Sequence, residues 1–464
     1  MASGRRRGLA RRVVASRWTL LAVALVPIAS AAARATLRHW FPIGDSALLY
    51  IRAADTFTRH HPWLGSWSSA SLSVGRNVNN PGALYDLLLS PFAHLLPPGP
   101  GAAIGVATIN AGAVVGTAVA ARHVGGPAFE RWAVLACAGL AWAMGSELLI
   151  DIWQAHALLL PFVCCLVLVI GVAAGRDRCL PWALAVATLL VQTHISYAYV
   201  LVCLAIGVVA VRRWAPARDW SSVPERHTVL RSAVVLAALW APSLGEQLLG
   251  AGEGNLSRLA RSAGGGAVTL GWSTAVRCVA AVFVLPAWWL RSGFSTTVPS
   301  TGFVFRDDGP HVEIPGLPAL WLAVVAVAAM LGALVGLSRA LAVRAHAVPS
   351  AACLVAAVLL ASSVVCLALL TVGPGGLAAH HVRWVWAASV AVHLVLVSSA
   401  CITVVPVLRR AWGRRGARDE RPAAAVGSDA NWLGACLALV AVTVVSAANI
   451  RYEAQPEGPV ADRA

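Results

Sequence analysis

Lysine is absent from the 464 residues, so all 36 basic side chains are arginines. Charge of either sign is scarce. Only 12% of residues are ionised, against about 25% in a soluble domain. With 58% hydrophobic residues and a mean hydropathy of +0.72, that scarcity excludes a soluble globular chain. The apolar runs do not alternate with polar residues, which excludes a membrane β-barrel. Zinc-type cysteine pairs are missing: the ten cysteines (137, 164, 165, 179, 203, 278, 353, 366, 401, 436) fall mostly inside apolar runs and read as small hydrophobes. No internal repeat is evident and charges within spans are few, which counts against an inverted-repeat transporter.

What is present is a series of apolar runs near the ~20 residues that a helix needs to cross a bilayer. The expected fold class is therefore all-α, a polytopic transmembrane bundle of about eleven spans. The formal charge of +16 invites a nucleic-acid reading, but the arginines cluster beside hydrophobic segments, at 5–17, 212–231 and 409–421. That is the positive-inside pattern and places those segments in the cytoplasm. No nucleic-acid partner is expected. Residues 1–36 have the basic start and apolar stretch of a signal peptide, but with many spans behind them they read as an uncleaved first helix. The Ala- and Arg-rich, Lys-free composition suggests a high-GC bacterium.

Taken in order, the first span is expected at 17–36, opening into an outer loop over 37–81. Within that loop Asp45 or Ser46 can cap a short interfacial helix that Pro62 ends. Residues 66–80 read as coil, and 83–97 as a partial or re-entrant helix. Residues 180–211 exceed one crossing and are interrupted at Gln192-Thr193-His194, so two short helices meeting at an outer break are expected. Later spans are expected at 232–245, 316–338, 348–371, 385–407 and 432–449, with Trp272, Trp288 and Trp289 in an interfacial belt. The domain division is a transmembrane unit over 1–407, a basic disordered cytoplasmic loop over 408–430, and a last span with an extracytoplasmic tail over 431–464.

The acidic residues sort by expected side. Asp177, Asp219, Glu225, Asp419 and Glu420 sit among arginines and read as solvated charge. Asp45, Asp55, Glu147, Asp151, Glu246 and Glu253 face outside, where a carboxylate at the lipid boundary needs a partner, a metal or water. Asp45 reads either as a helix cap or as a base that takes a proton from an acceptor hydroxyl. Asp55 reads as a surface charge. Glu147 and Asp151, four apart, share a face if helical. They read either as an exposed pair or, with Asp45, as oxygen ligands for a divalent ion such as Mg or Mn. Gln192 and His194 sit at a helix break whose freed backbone needs partners. His380, His381 and Arg383 read either as interfacial anchors or as a phosphate-binding group, the guanidinium offering a bidentate fork. Arg277 and Arg291 are looser candidates.

Together Gly44-Asp45-Ser46-Ala47, Pro62-Trp63-Leu64-Gly65 and Asn80-Pro81-Gly82-Ala83-Leu84-Tyr85 resemble the GT-C superfamily of polytopic glycosyltransferases. Trp240-Ala241-Pro242, Glu246-Gln247 and Gly254-Asn255-Leu256 resemble hypothetical actinobacterial members of this type. The resemblance implies a polyprenyl-phosphate sugar donor, a cell-envelope glycan, lipid or protein acceptor, and chemistry on the extracytoplasmic face of the plasma membrane. It also implies that Asp45 is the catalytic or metal-proximal acid. The chain departs from the family where Asn80 replaces a usual His and where Asp45 lacks an acidic neighbour. The alternatives are a transporter or flippase of a lipid-linked sugar, and a noncatalytic envelope-assembly protein.

Overall fold

A computed structural model describes residues 16–68, 71, 75–215, 223–250, 252–262, 268–285, 297–373, 376–413 and 423–450. Trp288, Trp289, Arg291, Asp219, Asp419, Glu420 and the arginines at 5–12 and 414–421 lie outside the described residues. The chain is a helical polytopic bundle.

Helix α1 (Arg17–Leu37) starts where the Ser16 hydroxyl accepts the Trp18 N–H at 3.3 Å, a side-chain cap for an otherwise unpaired amide. Helix α2 (Asp45–Asp55) follows Gly44 and has no side-chain cap. Asp45 lies in its first turn, and the Ser46 hydroxyl is turned toward another segment. Neither residue caps the helix as expected. The helix also ends well before Pro62. Thr56 is extended, Phe57 has φ +66°, and the Thr58 amide and hydroxyl both donate to the Asp55 carbonyl. A local side-chain turn of this kind competes with further helix.

Helix α3 (Leu84–Leu95) has 12 residues, about 18 Å of rise, too little for a hydrocarbon core of about 30 Å. It is the partial helix expected over 83–97. Helix α4 (Pro98–Met144) folds back on itself at Gly126, whose φ of +77° and ψ of −170° split it into two arms. The left-handed φ favours glycine there, and Pro127 opens the returning arm. Arg122, His123 and Arg131 sit at this elbow.

A short helix, α5 (Gln154–Ala157), leads into α6 (Leu159–Ala173). Every residue of α6 except Val169 is buried, as befits a helix that is hydrophobic all round. It is the central post of the bundle. Helices α7 (Leu180–Thr193) and α8 (Tyr197–Trp214) meet at the break expected near His194. Then come α9 (Arg226–Leu249), α10 (Asn255–Ser262) and α11 (Trp272–Phe283). A hairpin that hydropathy did not suggest, β1 (Phe303–Arg306) and β2 (Gly309–Val312), pairs Phe303 with Val312 and Arg306 with Gly309. The chain ends with α12 (Leu320–Val343), α13 (Ala347–Ala368), α14 (Trp384–Gly413) and α15 (Ala423–Ile450). The last two continue into 408–413 and 423–430, so helix occupies both ends of the stretch expected to be disordered.

Eight helices among the described residues are long and apolar enough to cross a membrane, and Trp272–Phe283 and Gly434–Ile450 are shorter apolar helices. The α4 elbow turns one of the eight into an out-and-back pair. The expectation of about eleven crossings also counted α7, whose 14 residues are too short to span at 1.5 Å per residue, and the last apolar stretch, which is one of the two shorter helices.

The two ends of the bundle differ in chemistry. At the elbow end Glu130 forms an ion pair with Arg17 at 3.0 Å and accepts from Arg122 at 2.7 Å. Arg212 pairs with Asp177 at 2.6 Å, and Arg344 donates to the Thr403 carbonyl at 3.0 Å. At the opposite end Arg34 donates to Ser146 at 3.3 Å and to the Ile450 carbonyl at 2.6 Å. The α5 turn, the α7–α8 break and the start of α14 also lie there.

Candidate functional site

Asp151 is the centre of that second end. It follows a turn over 146–150 rather than lying on a helix, so Glu147 and Asp151 do not share a helical face as expected. Oδ1 of Asp151 accepts the Ser46 hydroxyl at 2.9 Å and the Trp153 amide at 3.1 Å. The Trp153 bond is an Asx turn that starts the chain into α5. The other oxygen, Oδ2, lies 2.6 Å from Nδ1 of His156, which is 3% exposed. With the carboxylate ionised, Nδ1 carries the proton and donates. Burial pushes the Asp151 carboxyl up. The His156 hydrogen bond and charge, the Trp153 amide and the Ser46 hydroxyl outweigh that and hold it below the usual carboxylate value.

Around this dyad stand more imidazoles. The Trp153 ring lies 4.6 Å from His380, and His380 lies 4.2 Å from His381, centroid to centroid. Both histidines belong to the 3-10 turn Ala379–Val382 that leads into α14. Nδ1 of His381 is buried and has no hydrogen-bond partner among the described residues. Arg383, 3% exposed, interacts electrostatically with both Asp151 and His156. At the α7–α8 break Nδ1 of His194 lies 2.5 Å from the Ser196 hydroxyl. Burial, with His381 nearby, pushes the His194 ring down to about 4, so it is neutral at pH 7.

Of the residues singled out from sequence, the fold thus gathers Asp151, His194, His380, His381 and Arg383. Asp45 stands beside them through its neighbour Ser46, exposed and without a hydrogen bond of its own among the described residues. The others hold structure. Oδ1 of Asn80 accepts the Ile195 amide at 3.0 Å and its Nδ2 donates to the Ser66 carbonyl at 3.2 Å. Gln192 donates to the Leu239 carbonyl at 2.8 Å. Glu246 accepts the Asn255 amide at 3.0 Å and faces Arg258 at 3.7 Å. Asn255 and Asn79 exchange two hydrogen bonds of 2.9 Å. The outer loop read as coil is therefore laced to the α7–α8 break and to the start of α10. Arg277 donates to the Pro318 and Leu317 carbonyls at 2.7 and 3.2 Å and is a structural pin.

The donor set does not fit an Mg or Mn site built on Asp45, Glu147 and Asp151. Among the described residues no group of three or more His, Cys, Asp and Glu is placed to hold a metal ion. Asp151 is instead satisfied by three donors and stands in imidazole and guanidinium surroundings. That setting suits an anion better than a divalent cation.

Two features escaped the sequence reading. His156 was passed over because its partner lies five residues back across an irregular turn. Asp86, 2% exposed, pairs with Arg52 at 3.4 Å, and Arg52 also donates to the Leu64 carbonyl. A carboxylate within the apolar run 83–97 was the available signal.

No family model matches the chain, and no curated protein does. Among solved structures the fold is similar to the apo crystal structure of an oligosaccharyltransferase from Archaeoglobus fulgidus, at 15% identity and a TM-score of 0.40. The match covers 95% of this chain and 57% of that one. A likeness at this level assigns neither chemistry nor residues.

Proposed function

We propose that the protein is a membrane glycosyltransferase that moves a sugar from a polyprenyl-phosphate donor to a cell-envelope acceptor. The extracytoplasmic face is placed at the Asp151 end, because the arginine-rich elbow end has the positive-inside character of a cytoplasmic face. The observation that supports this reading is the convergence of Arg383, His380, His381 and the Asp151–His156 dyad from separate stretches of chain at one end of the bundle. A guanidinium and several imidazole N–H groups form a receptor for a phosphate held at headgroup depth. Asp45, exposed and adjacent, takes the proton of the acceptor hydroxyl. The acceptor oxygen then bonds to the anomeric carbon, the carbon–oxygen bond to phosphate breaks with inversion, and polyprenyl phosphate leaves with the electron pair. The Ser46–Asp151–His156 chain positions the start of α2 against the phosphate group.

The test is turnover of radiolabelled polyprenyl-phosphate sugars by the purified protein in liposomes, beside Asp45→Asn and Arg383→Gln. Removing the base is expected to slow transfer about 10²–10⁴-fold with the fold intact, while Arg383→Gln weakens donor binding. Full activity in Asp45→Asn removes Asp45 from the mechanism. Movement of donor across empty liposomes without product makes the protein a flippase instead.

A further inference from the structure

The turn Ala379–Val382 brings His380 and His381 to the candidate site, yet nothing in its own sequence caps it. Its N-cap residue, Ala378, has an extended backbone and no side-chain acceptor. The acceptor comes from 79 residues upstream, where the Ser300 hydroxyl receives the Ala379 amide at 2.9 Å. The first amides of a helical turn have no partner within it. Ala379 is 6% exposed, so its amide needs an acceptor supplied by the fold.

Ser300 belongs to a strap over 300–302 that runs into β1. Thr301 exchanges two backbone hydrogen bonds of 2.8 Å with Leu377. Gly376 lies so close to the strap that a Cβ on it would press into the Thr301 carbonyl and stand 2.7 Å from the Gly302 Cα. Its φ of +86° also favours glycine. The other end of the linker between α13 and the turn is held as well. There the Leu270 amide donates to the Leu370 carbonyl and the Val372 amide to the Val268 carbonyl, both at 2.9 Å. The linker is thus pinned at both ends, and the last pin is the amide immediately before His380.

The ring geometry beyond that pin is tight. His380 lies 4.6 Å from Trp153 and 4.2 Å from His381, centroid to centroid. A misplacement of about 1 Å is enough to cost a site about 10²-fold. We infer that Ser300 is a positioning residue of the candidate site. Its hydroxyl caps the histidine turn and, with the Thr301–Leu377 pair, sets where the His380 and His381 rings stand against Trp153. The consequence for donor binding rests on the reading of that turn as part of the phosphate receptor, whereas the ring geometry does not.

The test uses the full-length protein in nanodiscs, labelled with isotopic histidine and read by NMR, with His380→Gln assigning the His380 ring. The Trp153 ring current displaces the His380 resonances. Ser300→Ala is expected to lose part of that displacement, and Ser300→Thr, which keeps the hydroxyl, to retain it. Gly376→Ala, which pushes the strap off the linker without touching Ser300, should move His380 as Ser300→Ala does. His94, tied to the Thr56 carbonyl at 2.8 Å, should stay in place in all three, which separates local repositioning from general loosening of the fold. Binding of polyprenyl phosphate is measured on the same samples. Ser300→Ala is expected to weaken it about fivefold, the typical worth of a helix cap, with Ser300→Thr close to wild type. A His380 resonance unmoved in Ser300→Ala overturns the inference, as does an equal displacement in Ser300→Thr. If the wild type binds no polyprenyl phosphate, the donor reading fails and the His380 shifts alone decide the positioning role.

Discussion

Replacing Asp151 by alanine tests how the candidate site is held together. The substitution removes an acceptor that receives the Ser46 hydroxyl, the Trp153 amide and His156 Nδ1 at 2.9, 3.1 and 2.6 Å. It also leaves a buried imidazole N–H without its acceptor and the neighbouring buried Arg383 without its counter-charge. Breaking a buried charged pair by deleting one member costs about 3–5 kcal/mol, and about 4 kcal/mol is expected here. Asparagine keeps an oxygen for Ser46 and Trp153 but meets His156 with an amide, so its loss is roughly 1–2 kcal/mol. Equilibrium unfolding in detergent micelles, followed by tryptophan fluorescence, reads both variants. A double-mutant cycle with Ser46→Ala should give a coupling of about 1 kcal/mol, since contacting residues typically couple by roughly 0.5–3 kcal/mol. The pH dependence carries a sign. The Asp151 carboxyl is held below its unfolded value of 3.8, so its stabilisation is present above that value and is lost as pH falls through the folded pKa. Asp151→Asn should not show that acid loss. An alanine variant within about 0.5 kcal/mol of wild type, the range of an inconsequential surface change, or strict additivity with Ser46→Ala, refutes the positioning role.

Two further outcomes are expected. Burial pushes the Asp86 carboxyl from 3.8 to about 7 against the pull of Arg52. Its contribution to stability is therefore complete below pH ~4 and is lost as pH rises through about 7. The wild-type slope is about 1.4 kcal/mol per pH unit between those values; melting curves at pH 5 and 7.5 should show it flattened in Asp86→Asn, and an unchanged slope counts against the assignment. A Cβ on Gly82 would press into the Gln192 side-chain amide and lie 2.8 Å from the Ser243 hydroxyl. Gly82→Ala should therefore cost about 1–3 kcal/mol by overpacking, largely recovered in Gly82→Ala/Gln192→Ala; no recovery places the strain elsewhere.

The apolar runs gave away most of the helices because a bilayer-compatible run of some twenty residues admits few other structures. The break at His194, the short α3 and the basic turn at Arg122, His123 and Arg131 were legible for the same reason. Hydropathy was silent where a backbone conformation decided the outcome. Gly126 turns α4 back on itself through one left-handed residue, and Thr56–Phe57 ends α2 through a local turn, neither of which changes the apolar pattern. The β1–β2 hairpin lies in a short polar stretch whose pairing depends on cross-strand contacts rather than on periodicity.

The candidate site was half legible, and the illegible half concerns its charge. Reading Asp45, Glu147 and Asp151 as one group assumed that carboxylates on the same side of a membrane converge, and that Glu147 and Asp151 share a helix. The turn at 146–150 breaks that assumption and rotates Asp151 toward His156. A carboxylate that could have been one of three ligands becomes the acceptor of three hydrogen bonds. His380, His381 and Arg383, more than two hundred residues downstream, then arrive over Trp153. No spacing rule connects them to Asp151, because tertiary packing of the 3-10 turn against α5 supplies the proximity. The consequence is a change in the kind of ligand the site suits. Three acidic ligands would call for a divalent cation, whereas one satisfied carboxylate among imidazoles and a guanidinium leaves N–H donors from which an anion can accept. Asp45, left exposed and outside the network, is the carboxylate to which the proposed mechanism gives the acceptor's proton.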